Sequence, residues 1–291
     1  MPFAKDEIIE SSIILDILKL TMLVYYFKVD FIFDLNNDTS TLLKNINFNE
    51  LKLPNLQKNI FREICKNSPH GKLVHFYDNK NNDLQAGITI SHTYKRISVV
   101  FRGTSSKMDW LHSLSFCKTK LFDNIYVHAG FHKQLTENNF CKNIIRDLEA
   151  LSNIYQDYHI YVAGHSGGGA LACLFAYIFS IITKNMITVI SFASPRVGNQ
   201  EWYKKFNKKE NIRHYRVINN RDLVTAIPYI NYYHVGNTLL LSDNDIYIKK
   251  YDEKNDTYLN WCCCSYSIND HALEKYYHKM VLLNIEGIHN L

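Results

Sequence analysis

Residues 161–176, YVAGHSGGGALACLFA, crowd four glycines around one serine, and the segments on either side differ in kind. A β-branched apolar run precedes the serine, and an alanine-rich run of helical character follows it. Glycine inside a strand or helix costs about 0.5–1 kcal/mol relative to alanine. A chain that takes this cost four times at one spot needs a backbone shape that other residues forbid. Gly164-His165-Ser166-Gly167-Gly168 has the spacing G-x-S-x-G, with a strand before it and a helix after it. This context predicts a strained strand-to-helix turn that presents the Ser166 hydroxyl near a helix N-terminus, where backbone N–H groups favour developing negative charge. The glycines two positions before and two after the serine are then the places where neighbouring chain passes too close for a side chain.

The surrounding pattern sets the fold class. From Gly71 three short β-rich runs follow one another, LVHFYD, AGITISHT and ISVVFRG, joined by turns. Strand and helix then alternate: a strand over 125–128, a helix over 131–154, a strand over 159–163, a helix over 168–183, a strand over 186–193, a helix over 200–208 and a strand over 212–218. Such alternation predicts an α/β fold with a mostly parallel central sheet, helices on both faces, and antiparallel strands at the N-terminal edge. Residues 7–28 read as a helix, capped by Ser11 and Ser12, that covers core; the competing reading is a helix lying on a membrane surface. Residues 34–48 read as a polar loop and 56–66 as a short helix. Residues 1–70 are therefore expected to form a helical extension packed on a catalytic domain of 71–291.

Composition narrows the function classes. With 291 residues, a 46% apolar content and a net charge of +5, the chain is globular and too weakly basic to argue for nucleic acid. The opening residues, MPFAKDEIIESS, lack a signal-peptide layout, and Asp16 and Lys19 interrupt the apolar stretch 13–27, so no transmembrane segment is expected. Seven cysteines are an odd number; three of them, Cys262 to Cys264, are adjacent, and none has zinc spacing. The expectation is a reducing intracellular location, soluble or peripheral to a membrane, with the sequons at Asn37 and Asn255 fortuitous. The adjacent cysteines are read as buried packing, with S-acylation as the alternative. The basic segment 204–216 reads as a solvated helix face, with docking on anionic lipid as its alternative.

A serine hydroxyl needs a base and a group to orient that base. In a G-x-S-x-G fold the order is serine, acid, histidine. Asp222, in VINNRDLV, stands where a strand end runs into a polar loop. Four histidines follow it. His289 lies in the tail, and His234 reads as packed structure. His271 and His278 are seven apart, so spacing on one helix cannot separate them; a position at the helix start, with Asp270 as cap, favours His271.

The ordered motifs VVFRGTSS, DWLHSL, VHAGF, AGHSGGG, FASPRVGN, VINNRDLV, YHVGN and NDHALEKYY, spread over residues 84–277, resemble the class 3 lipases. These are the fungal-lipase-like triacylglycerol lipases of the α/β-hydrolase fold. The resemblance implies Ser166, Asp222 and His271 as nucleophile, acid and base, and so selects His271 over His278. It implies Thr104 and the N–H of Gly167 as the oxyanion hole, with Ser105 as the alternative to Thr104. It also implies a lid over 105–122, with Met108, Trp110, Leu111 and Leu114 facing substrate and, for Trp110 and Leu114, packing in the core as the alternative. Two departures concern the acyl pocket: Gly167 replaces a bulky residue found in many relatives, and Thr225 replaces a proline. The implied activity is that of a carboxylic ester hydrolase, a lipase acting through an acyl-enzyme without metal or cofactor. Its substrate is a lipid ester, at a membrane or lipid-droplet surface. The alternatives are phospholipase A1 or mono- or diacylglycerol lipase chemistry on the same site, acyl transfer to another alcohol, or a catalytically silent lipid-binding relative.

Overall fold

Among the described residues, nine strands pair into one sheet, and Ser166 and Asp222 lie just beyond the C-terminal ends of two of its central parallel strands. The structure, a computed structural model, describes residues 9–25, 58–59, 71–79, 83–103, 117–219, 221–249, 267–283 and 288–290. Strands β1 (Lys72–Asn79), β2 (Leu84–Ser91) and β3 (Arg96–Phe101) form an antiparallel meander. Strands β4 (Lys118–Phe122) and β5 (Ile125–His128) form a separate two-stranded sheet. The main sheet continues in parallel from β3 through β6 (His159–His165), β7 (Ile187–Phe192), β8 (Ile212–Asn219) and β9 (Asn237–Leu241). Beyond these, β10 (Ile246–Lys249) pairs antiparallel with β9, and β11 (Ile288–Asn290) pairs parallel with β10.

Helices cover both faces because the central strands are apolar on both. Val162 and Val189 point into one core and their neighbours Ala163 and Ile190 into the other, the period of two expected of a strand. The first core is closed by α2 (Ala129–Thr136), α3 (Phe140–Ile154), α4 (Gly167–Ile182) and α5 (Gln200–Asn207). The second is closed by α1 (Ser11–Val24) and α6 (Leu273–Leu283). The first helix is therefore core-covering: Ile14, Ile17 and Leu18 are fully buried. The boundary at residue 70 between extension and catalytic domain remains an assignment of organisation; α1 packs in the same core as β7 and β8.

Several local expectations need correction. Ser11 and Ser12 are not caps: Glu10 holds the N-cap position, and the Ser12 hydroxyl donates to its carboxylate. The helix expected over 131–154 is broken into α2 and α3, because Asn138 and Asn139 adopt left-handed backbone at φ 53° and 58°. Asparagine tolerates that conformation where most residues do not. Lys118–Phe122, counted with the lid, is instead strand β4. Within the basic segment, Lys205 and Lys208 are exposed, but Arg216 is buried on β8 and donates to Thr238 Oγ1 at 2.6 Å. The loop 34–48, most of the helix expected over 56–66, both sequons and Cys262–Cys264 lie outside the described residues.

Candidate active site

Ser166 stands between the end of β6 and the first residue of α4, at φ 58° and ψ −128°, a conformation that residues with a side chain seldom adopt. Its N–H donates to Phe192 O at the end of β7 at 2.9 Å, which pins the turn to the sheet. Two glycines make the turn possible. A methyl group on Gly164 would lie 2.3 Å from the Gly168 carbonyl carbon, and one on Gly168 would lie 2.4 Å from the Phe101 carbonyl oxygen. Both obstacles are backbone, so neither position accepts alanine unless the elbow moves.

Asp222 leaves the polar loop after β8 and caps the 3-10 turn Leu223–Ala226, with Oδ1 accepting from the Val224 N–H at 2.9 Å. Thr225 donates its hydroxyl to the Asp222 carbonyl at 2.8 Å and ties the turn together. The 3-10 turn Ile268–His271 ends on His271, just before α6. Its cap is Ser267 rather than Asp270, whose carboxylate pairs with Lys275 at 2.7 Å.

These elements bring Ser166, Asp222 and His271 together. His271 Nδ1 lies 2.9 and 3.0 Å from the two Asp222 oxygens, and Nε2 lies 2.8 Å from Ser166 Oγ. A carboxylate only accepts, so Nδ1 carries the proton and the Nε2 lone pair faces the serine O–H. The Asp222 side chain is 0% exposed, against 12% for His271. A buried carboxylate is tolerated only with donors around it. Here they are the imidazole, the Val224 N–H and the Tyr276 hydroxyl, 2.7 Å from Oδ2.

Tyr276 and Asn219 were not assigned from sequence, although both stand in motifs singled out there. Burial, reinforced by the Asp222 charge, pushes the Tyr276 phenol well above its usual value, so it remains a donor. The Asn219 N–H donates to the Tyr276 oxygen at 2.9 Å, and Asn219 Nδ2 donates to the Asp270 carbonyl at 3.1 Å. Ser267 N–H also donates to Arg221 O at 2.8 Å. The acid loop and the histidine loop are thus zipped together. The signal in the sequence was the demand itself: one imidazole cannot satisfy a fully buried carboxylate.

The other histidines lie elsewhere. His234 is buried, donates Nε2–H to Thr225 O at 2.7 Å, and is held well below its ordinary pKa by burial. His278 is exposed on α6 and lines a surface pocket with Arg221, Lys275 and Lys279. His289 falls on β11. Gly167 opens α4, so its N–H is one of the helix's first four, which lack an intrahelical acceptor. Thr104, Ser105 and the lid residues Met108, Trp110, Leu111 and Leu114 lie outside the described residues. Among the described residues, no cluster of three or more His, Cys, Asp or Glu could hold a metal ion.

Comparison with known proteins finds similarity to lipases. Residues 98–232 match the family model Lipase (class 3). The chain is 29% identical over 150 residues to the chloroplastic phospholipase A(1) DAD1 of Arabidopsis thaliana, covering 45% of this chain and 33% of that protein. It is 28% identical over 167 residues to the secreted mono- and diacylglycerol lipase A of Penicillium cyclopium, covering 55% of this chain and 53% of that one. The chain thus spans between a third and about a half of these two curated relatives. The crystal structure of a lipase from Rhizopus microsporus var. chinensis superposes with a TM-score of 0.69 at 22% identity, over 90% of this chain and 85% of that one. That likeness is one of fold, the α/β-hydrolase fold.

Proposed function

We propose, from the match of residues 98–232 to the class 3 lipase family model, that the chain is a member of that family and a serine carboxylester hydrolase acting on lipid esters. The observation that carries this reading is the line from Asp222 through His271 to Ser166, with 2.9 Å and 2.8 Å contacts on a strained, glycine-flanked elbow. His271 Nε2 takes the Ser166 proton as Oγ attacks the ester carbonyl, and buried Asp222 stabilises the imidazolium that forms. The N–H of Gly167 and that of Thr104 hold the oxyanion, each contributing on the order of 10²–10³ in rate. His271 then protonates the leaving alcohol, and water, activated by the same imidazole, releases the acid from the acyl-enzyme.

A glycerolipid substrate is the reading favoured by the relatives, which are named for phospholipase A1 and for mono- and diacylglycerol lipase activities. Exposed Tyr229 and Ile230, just past the Asp222 turn, and Ile268, on the turn that carries His271, give these loops an apolar rim suited to a membrane or droplet surface. No helix among the described residues is long and apolar enough to cross a membrane. The thiols of Cys117, Cys141 and Cys173 are free, which suits the reducing interior included in this reading.

A fluorophosphonate probe tests the chemistry. Wild-type protein is expected to label and Ser166→Ala not to; an unlabelled wild type would make the protein a silent lipid binder. Hydrolysis of triacylglycerol, diacylglycerol and phosphatidylcholine in parallel then assigns the substrate.

A further inference from the structure

Helix α1 lies outside residues 98–232, the part of the chain that carries the family match. Even so, its C-cap residue, Tyr25, reaches the loops around Ser166. The Tyr25 hydroxyl lies 3.2 Å from the Gly103 N–H, at the end of the chain leaving β3, and 3.1 Å from Nδ1 of His165, the residue before the nucleophile. On the other side of that ring, His165 Nε2 lies 2.9 Å from the carbonyl oxygen of His271.

The chemistry of the groups fixes the direction of every bond. A carbonyl only accepts, so His165 Nε2 carries the proton and its Nδ1 must accept. Tyr25 therefore donates to Nδ1, and its oxygen is left to accept from Gly103. The result is one directed line: Gly103 N–H to Tyr25, Tyr25 O–H to His165, His165 N–H to the His271 backbone. It joins three chain segments: the end of β3, the elbow, and the turn that carries His271. The His165 and His271 rings also face each other, with centroids 4.8 Å apart.

The hydroxyl is delivered to a fixed place. Asp16, two turns earlier on α1, pairs with the buried Arg96 of β3 at 2.5 Å. Leu18, Leu20, Leu23 and Val24 are each at most 1% exposed. The helix cannot slide without breaking this pair and exposing those side chains. A helix that only covered core would need no polar tip here. Gly103 is also closely fitted to this tyrosine, since a methyl group there would lie 2.6 Å from the Tyr25 hydroxyl.

We propose that Tyr25 is a positioning residue for the ester hydrolysis, setting through Gly103 and His165 the register of the β3 exit and of His271 relative to Ser166. This assignment rests on the function proposed above. It touches neither substrate nor reacting atoms, and it makes the N-terminal helix part of the active site.

Tyr25→Phe tests it, because the ring and its packing are kept while both hydrogen bonds are lost. On a soluble p-nitrophenyl ester, kcat should fall about 5- to 50-fold with KM within twofold of wild type, and the rate of fluorophosphonate labelling should fall in parallel. Adding Tyr25→Phe to His165→Phe should cost no more than a further twofold, because the line is already cut; multiplicative losses would mean independent action. Circular dichroism and Tm measurements exclude unfolding as the cause. If Tyr25→Phe labels and turns over within twofold of wild type, the inference is wrong while the esterase reading stands. If wild type itself does not label, both fail.

Discussion

Two serine–histidine hydrogen bonds in this protein have the same length, 2.8 Å, and the contrast between them says what makes a nucleophile. Ser166 meets His271 where β6 turns into α4. Ser191 meets His214 inside the sheet, across the adjacent strands β7 and β8, and both are buried. Behind His271 stands a carboxylate. Behind His214 none stands among the described residues: its hydrogen-bond neighbours are Ser191, the Val235 backbone and, at 3.5 Å, the Cys173 thiol. Burial, with the Arg216 charge adding to it, pushes His214 down to about 3. An imidazole that resists protonation so strongly is a poor proton acceptor at neutral pH. The inner serine also sits within a regular strand rather than on a strained turn. A short bond between the two side chains is common to both places. The carboxylate, the access and the strained turn belong to only one.

The sharpest way to break the contrast is to remove the carboxylate's charge. Asp222→Asn keeps size and shape but can hold His271 in the wrong tautomer and no longer stabilises the imidazolium. The expected loss in kcat is about 10⁴, measured on a soluble ester. A loss under tenfold would mean that the outer pair works as a bare serine–histidine couple, and its difference from the inner pair would then reduce to access.

The same contrast shows what could be read from residues alone. Ser166 was legible because a strained elbow requires glycine at fixed offsets, a local demand that leaves a local pattern. The alternation of strands and helices was legible for the same reason, and so was the parallel centre of the sheet. Asp222 and His271 followed from chain order, with the resemblance needed to decide between His271 and His278. Three things were not legible. The break at Asn138 and Asn139 depends on a backbone choice that asparagine permits but does not require. Tyr276 on Asp222 and Tyr25 on His165 are contacts between segments 54 and 140 positions apart. Such contacts leave no spacing to recognise. The inner Ser191–His214 pair was invisible too, since its partners look like ordinary strand residues.

Ser191→Ala sharpens the comparison from the other side. The buried His214 Nε2 then keeps only the weak 3.5 Å contact with the Cys173 thiol, which should cost about 1–3 kcal/mol of stability. Urea denaturation measures this cost, while kcat/KM should stay within twofold of wild type. A loss of activity larger than the loss of folded protein would give the inner pair a part in the reaction, and the distinction would fail.

The smallest expected effect is one of pH. The folded value of His214, about 3, lies below the roughly 6.5 of an unfolded histidine. Between those values the unfolded chain binds a proton that the native protein refuses, so stability rises with pH across this window and is lost as pH falls through it. Each such histidine contributes a slope of up to about 1.4 kcal/mol per pH unit. His159, lowered to about 4 by burial and by the Arg213 charge, and His234, held well below its ordinary value by burial, act in the same sense. Unfolding free energies at pH 4.5, 5.0 and 5.5 should show a slope that His214→Gln reduces by up to one proton and that Ser166→Ala leaves alone. If His214→Gln keeps the whole slope, His214 takes up its proton in the native state, and the inner imidazole is as available as the outer one.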